Sequence, residues 1–142
     1  MDPRQITDRY AVSPQIDPED AAALRDAGFT TVICNRPDAE VPPALQADAI
    51  GAAMRAAGLR FEVLPITHQT LTAENAARQA EIIAESEGPV LAYCASGTRS
   101  TFIWALGAAG DMSADDIVAA GAKGGYDLSP LRPTIEAMSA RG

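Results

Sequence analysis

The chain has 142 residues, 47% hydrophobic and 21% charged, which is the composition of a globular domain able to bury a core. Its net charge of −8 argues against nucleic acid or a membrane surface as a partner, and no apolar run is long enough to span a bilayer. Two cysteines and the lack of a secretory-type start predict a reducing, cytoplasmic location.

Strands and helices alternate along the chain. The β-branched run that ends at Cys34 is typical of a buried strand, and Asp17 followed by Pro18 is typical of a helix start. The same reasoning predicts strands at 9–13, 29–34, 60–66 and 89–93, and helices at 17–28, 45–57, 73–86, 100–109, 113–122 and 131–139. This order predicts one α/β domain over residues 1–142, with a parallel sheet and helices on both faces.

The carboxyl ends of parallel strands form one rim, and binding sites lie there. The loops 35–40, 67–71 and 94–100 all follow predicted strands, so we expect them to meet at this rim. The third loop joins the last core strand to a helix and is the most informative. It consists of Cys94, Ala95, Ser96, Gly97, Thr98, Arg99 and Ser100.

A cysteine before a small-residue loop and a helix is typical of an anion-binding nucleophile. The backbone N–H groups of the loop and the helix N-terminus attract negative charge, and the thiolate is the reactive form of cysteine. Arg99 adds a planar donor fork, Gly97 allows an unusual backbone angle, and Ser100 is placed to donate its hydroxyl to the thiolate. We therefore predict Cys94, Arg99 and Ser100 as catalytic, with the intervening loop binding the substrate anion.

The motifs resemble a known family. The segments Val32–Glu40, Tyr93–Ser100 and Gly125–Leu128 are similar to the bacterial β-lactamase-hydrolase-like, phosphatase-like domain family (DUF442), which is also labelled a rhodanese-like sulfur transferase. The resemblance implies a protein-tyrosine-phosphatase-like fold, with Cys94 as nucleophile and Arg99 as anion ligand. One departure is Ala95, because family members commonly carry arginine directly after the cysteine.

Loop spacing separates two chemistries. Phosphatases of the tyrosine class share a Cys-x5-Arg loop. Here only four residues separate Cys94 from Arg99, and this spacing resembles the shorter loop of rhodanese-type sulfurtransferases. We therefore expect sulfur transfer through a Cys94 persulfide first, and phosphatase action through a phosphocysteine as the alternative. A third hypothesis is a binding module without turnover. The expected partner is a small anion such as thiosulfate, a persulfide or a phosphoester, and no metal or organic cofactor is implied.

A phosphatase benefits from an acid that protonates the leaving oxygen. The loop after the third predicted strand holds no carboxylate, so His68 and, from the first rim loop, Asp38 and Glu40 are the candidates. Alternatively, Arg36 pairs with these carboxylates and only shapes the site. Sulfur transfer needs no such acid.

Cys34 ends the strand that precedes the first rim loop. If this strand neighbours the one that leads to Cys94, a peroxide-induced bridge between the two thiols is a hypothesis, with Cys34 as resolving cysteine. The alternative is that Cys34 points into the core, away from Cys94.

Overall fold

The computed structural model describes residues 2–141, with the Arg141 side chain left aside. Five strands form one sheet: β1 (Arg4–Thr7), β2 (Tyr10–Ser13), β3 (Thr31–Cys34), β4 (Arg60–Val63) and β5 (Val90–Tyr93). Six α-helices accompany them: α1 (Ala21–Asp26), α2 (Ala47–Ala56), α3 (Ala73–Glu85), α4 (Thr98–Ala108), α5 (Ala114–Lys123) and α6 (Arg132–Arg141). No helix in this part of the chain is both long and apolar enough to cross a bilayer.

The strand order is β1-β2-β5-β3-β4, and β2, β5, β3 and β4 are mutually parallel. The strand that leads to Cys94 is therefore at the centre of the sheet. Strand β1 was not predicted: it pairs antiparallel with β2 at the edge, and only Ile6 in it is buried. A four-residue edge strand with one buried side chain carries too little hydrophobic pattern to be recognised.

Alternation along the strands divides the core into two layers. Ala11, Val32 and Leu91 pack with α1 and α2 on one face of the sheet. Val12 and Ile33 pack with α3, α4, α5 and α6 on the other face. This confirms the predicted α/β arrangement with helices on both faces, in which successive strand residues serve opposite layers.

The ends of the elements differ from the predictions by a few residues. Helix α1 is preceded by a short 3₁₀ turn, Pro18–Asp20, and Asp17 caps this turn as expected. Strand β4 stops at Val63 rather than at residue 66, and α4 begins at Thr98 rather than at residue 100. The earlier start of α4 follows from Gly97, which takes a left-handed conformation (φ 93°) and turns the chain directly into the helix.

Candidate functional site

Cys94 is held at the junction of β5 and the loop. Its sulfur accepts a hydrogen bond from the Gly97 N–H at 3.1 Å, and its own N–H donates to the Ser13 carbonyl at 3.4 Å. The residue is fully buried, and α4 starts four residues later. The Gly97 N–H thus points at the sulfur, and the loop leads directly into the N-terminus of α4.

The rest of the loop follows a compact course. Ala95 and Ser96 are exposed, and the Ser96 hydroxyl bonds the Thr98 hydroxyl at 2.9 Å and accepts from the Thr98 N–H at 3.3 Å. The Thr101 hydroxyl donates to the Gly97 carbonyl at 2.8 Å, which ties the loop to the first turn of α4. Ala95 and Ser96 are thus the exposed residues of the loop, while Cys94 and Gly97 are buried.

Arg99 is fixed by Glu40. Its Nη1 and Nη2 donate to the two carboxylate oxygens at 2.8 and 2.7 Å, and Nη1 also donates to the Ile66 carbonyl at 2.9 Å. The Arg99 hydrogen bonds hold the pKa of Glu40 below its usual range, and the same pair raises the pKa of Arg99, with a smaller contribution from Cys94. Glu40 is thus an ionised carboxylate that orients the guanidinium near the thiol.

Arg36 and Asp38 shape the first rim loop. Arg36 donates to the Glu40 carboxylate at 3.3 Å and to the Gln15 side chain at 3.2 Å. Asp38 accepts from the Ala47 N–H at 2.9 Å and so caps the start of α2. These contacts correspond to the shaping role considered for this loop.

His68 lies in an exposed turn after β4. Within the described residues the turn is closed by Thr67 and Thr70, whose side chain accepts from the Thr67 N–H at 2.7 Å, and His68 makes no hydrogen bond there. The turn adjoins the site because Ile66, just before it, accepts from Arg99. The three rim loops therefore meet at Arg99, which donates to Glu40 of the first loop and to Ile66, the residue just before the loop that holds His68.

Ser100 differs from its predicted role. Its hydroxyl donates to the Asn35 side-chain oxygen at 2.9 Å, and it makes no hydrogen bond to Cys94. The cause is the early start of α4, which places residue 100 inside the helix, fully buried against the end of β3. Ser100 therefore anchors the helix instead of contacting the thiol.

A closed ring of buried hydrogen bonds lies behind the loop, and sequence reasoning missed three of its four members. Asn35 donates to the Gln79 side chain at 2.9 Å, Gln79 donates to the Tyr10 hydroxyl at 2.9 Å, and Tyr10 donates to the Ser100 carbonyl at 2.7 Å. Asn35 also donates to the Leu64 carbonyl at 2.9 Å. Burial raises the pKa of Tyr10, so its hydroxyl stays a neutral donor.

Tyr126 is a further residue at the site, to which the sequence analysis assigned no role. Its hydroxyl donates to the Ser96 carbonyl at 2.9 Å. A Cβ atom at Gly97 would lie 2.1 Å from this hydroxyl, so the close approach requires glycine. Tyr126 therefore covers the loop from the α5–α6 side.

Cys34 and Cys94 leave adjacent strands in different directions. Cys34 is in register with Tyr93 and packs with it in the layer of α1 and α2, so the next residue, Cys94, projects from the other face. The Cys34 thiol donates to the Arg36 carbonyl at 3.3 Å, and burial raises its pKa. The neighbouring strands are confirmed, but the geometry favours the core role of Cys34 over the resolving role.

The described residues hold no group of three or more His, Cys, Asp and Glu side chains arranged to bind a metal ion. The groups available for chemistry are the cysteine sulfur, the backbone donors of its loop and an oriented guanidinium. The central parallel strand, cysteine loop and helix define an α/β domain of the protein-tyrosine-phosphatase-like fold.

The family follows from comparison with known proteins. Residues 2–114 match the family described as "Beta-lactamase hydrolase-like protein, phosphatase-like domain", and the chain belongs to that family. The β-lactamase hydrolase-like protein of Xylella fastidiosa strain Temecula1 is 34% identical over 125 residues, which cover 87% of this chain and 29% of that protein. The chain thus spans less than a third of the length of this relative.

Solved structures agree with the assignment. A candidate phosphatase from Neisseria meningitidis superposes with a TM-score of 0.83 and 28% identity, covering 95% of this chain and 96% of that one. Tk-PTP in its active form superposes with a TM-score of 0.76 and 18% identity, covering 99% and 97% of the two chains. The resemblance predicted from the sequence is therefore confirmed for both family and fold.

Proposed function

We propose that this domain is a cysteine-dependent phosphatase for small phosphomonoesters. The observation that carries the proposal is the Cys94 sulfur held by the Gly97 N–H at 3.1 Å, beside an arginine that Glu40 orients. The family and its solved relatives support this phosphatase alternative over the sulfur transfer that was expected first.

The bonding of Arg99 supports anion binding. A guanidinium has five N–H donors. Both Nη1 hydrogens and one Nη2 hydrogen serve Glu40 and the Ile66 carbonyl. The Nε–H and the second Nη2–H donate to no oxygen within residues 2–141 and point the same way as a fork, and Cys94 is the other neighbouring group that raises the pKa of Arg99, after Glu40. Such a fork matches two oxygens of a phosphoryl group. Glu40 therefore orients the Arg99 guanidinium and leaves two of its N–H donors facing away from the carboxylate.

The reaction has two steps. The Cys94 thiolate attacks phosphorus, an S–P bond forms, and the P–O bond to the leaving group breaks with its electron pair on oxygen, which departs as an oxyanion and then takes a proton from water. Water then attacks the phosphocysteine, the S–P bond breaks, and inorganic phosphate and the thiolate are released. In both steps, the loop N–H groups and Arg99 would hold the non-bridging oxygens, where negative charge collects.

No candidate acid is well placed to protonate the leaving oxygen. Glu40 is ionised, Asp38 accepts from the Ala47 N–H, and His68 lies in an exposed turn. A leaving group that departs without protonation is therefore favoured. We expect aryl phosphates to be hydrolysed much faster than alkyl phosphates.

Sulfur transfer is the second candidate, because the four-residue gap between Cys94 and Arg99 encloses less space than a five-residue gap. In that reaction the thiolate attacks the outer sulfur of thiosulfate, an S–S bond forms, and sulfite leaves with the electron pair of the broken bond. A thiol acceptor then takes the outer sulfur and frees Cys94.

Parallel assays test the proposal. The wild-type protein and Cys94→Ser receive a series of aryl and alkyl phosphates, and separately thiosulfate with a thiol acceptor. We expect Cys94-dependent phosphate release that falls steeply as the leaving group becomes more basic. Cys94-dependent sulfite release without phosphate release would establish the second candidate instead. Binding of phosphate esters with neither release would leave the domain a binding module.

A further inference from the structure

The unpredicted strand β1 brings a further arginine to the rim. Because β1 runs antiparallel to β2, its first residue, Arg4, pairs with Val12 near the carboxyl end of β2. The next residue of β2, Ser13, accepts from the Cys94 N–H. Arg4 thus lies two strands from the nucleophile, about 10 Å by strand spacing, and its long side chain spans much of that distance.

The side chain of Arg4 is directed toward the loop by an aromatic ring. Its guanidinium carbon lies 5.6 Å from the centre of the Tyr126 ring, and the hydroxyl of that ring donates to the Ser96 carbonyl at 2.9 Å. One ring therefore connects Arg4 to the cysteine loop. Burial raises the pKa of Tyr126, and smaller contributions come from Arg4, which lowers it, and Cys94, which raises it, so the phenol lies within electrostatic range of both.

Arg4 is not held by a carboxylate at short distance, as the other rim arginines are. Arg36 and Arg99 both engage Glu40 within 3.3 Å, whereas the neighbour of the Arg4 guanidinium is the Tyr126 ring. Its charged partner is Asp2 at 3.9 Å, and 82% of the Asp2 side chain is exposed, so this pair is weak. With 43% of its own side chain exposed, Arg4 presents open donors at the mouth of the site.

We infer that Arg4 and Tyr126 form a subsite for a second acidic group of the substrate, separated from the phosphoryl group by roughly one aromatic ring. The inference rests on the proposed phosphatase function. It narrows the substrate class to phosphomonoesters that also carry a carboxylate or another phosphate. The Tyr126 ring supplies a rigid platform, and Arg4 supplies the charge.

Two substrates that differ in one charge test the subsite. Para-carboxyethylphenyl phosphate carries an acid, and para-carbamoylethylphenyl phosphate replaces it with a neutral amide while the methylene spacer leaves the phenol leaving group nearly unchanged. For the wild type we expect kcat/KM to favour the acid about fivefold, the size of one partly exposed charge pair. Arg4→Gln should bring this ratio close to one.

Arg78→Gln is the matched control, because its side chain is 46% exposed and lies on α3, away from the rim. This variant loses the same charge and should keep the wild-type ratio. An acid-to-amide ratio that is unchanged in Arg4→Gln, or lost equally in Arg78→Gln, would overturn the subsite.

Binding of the two esters to Cys94→Ser, measured by calorimetry, separates the subsite from the proposed function. Arg4-dependent preference for the acid without turnover by the wild type would retain the subsite and reject the phosphatase. Turnover of both esters with no preference would retain the phosphatase and reject the subsite. Absence of both turnover and binding would reject both.

Discussion

Gln79→Leu tests whether the buried ring behind the loop positions the site. Gln79 is fully buried on α3, and its side chain exchanges hydrogen bonds of 2.9 Å with Asn35 and Tyr10. Leucine has a similar volume, so the change removes the bonds without a large cavity. Asn35 keeps the Leu64 carbonyl as an acceptor, and Tyr10 keeps the Ser100 carbonyl.

Gln79 also donates to the Asn35 side-chain oxygen at 3.3 Å, so the change removes three hydrogen bonds at about 1 kcal/mol each, or about 3 kcal/mol of unfolding free energy. For a chain of this size that corresponds to a fall in Tm of about 9 °C. Since Tyr10 and Asn35 hold the start of α4 through Ser100, we also expect kcat to fall about tenfold with aryl phosphate, at a temperature where the variant is folded.

Urea unfolding and steady-state kinetics measure the two effects. Glu81→Leu is the control, because Glu81 lies on the same helix with 63% of its side chain exposed. Surface changes of this type alter stability by about 0.5 kcal/mol or less. If Gln79→Leu matched Glu81→Leu in both stability and kcat, the ring would have no positioning role.

Three further predictions concern the charged groups and the thiols. Arg99→Lys should lose nearly as much kcat/KM as Arg99→Ala, because lysine has no planar fork, and retention of most activity would show that only charge matters. Glu40→Gln should destabilise the protein at neutral pH. Arg99 lowers the Glu40 pKa, so the wild-type advantage is complete above the unfolded value of ~4.3 and disappears as pH falls through the folded value; an advantage that persists in acid would contradict this. Mild peroxide should oxidise Cys94 and leave Cys34 reduced in peptide maps, whereas a disulfide between them would show that the strands rearrange.

The elements that the sequence predicted well are those with a local signal. Hydrophobic runs and capping residues predicted the four parallel strands and the helices. Both signals come from residues that are close together in the sequence. Strand β1 lacked such a signal, since its pairing with β2 decides its conformation.

The same distinction applies to the site. Cys94, Gly97 and Arg99 lie within one short motif, so a site could be predicted there from their order along the chain alone. Asn35 and Gln79 are 44 positions apart, and their sequence contexts are typical of a turn residue and of a polar helix residue. Only the packing of α3 on the sheet brings their side chains together. Ser100 was assigned to the thiol because the helix was expected to start there.

The most direct measurement is the covalent state of Cys94 during turnover. The wild-type protein is mixed with an aryl phosphate, quenched rapidly in acid and digested, and the peptide that contains Cys94 is examined by mass spectrometry. Thiosulfate is used in a parallel reaction, and Cys94→Ser controls for modification elsewhere. If the domain is a phosphatase, a phosphoryl group should appear on Cys94 and decay as phosphate is released. Phosphate release at an undiminished rate from Cys94→Ser, or a persulfide on Cys94 with no phosphoryl adduct, would contradict it.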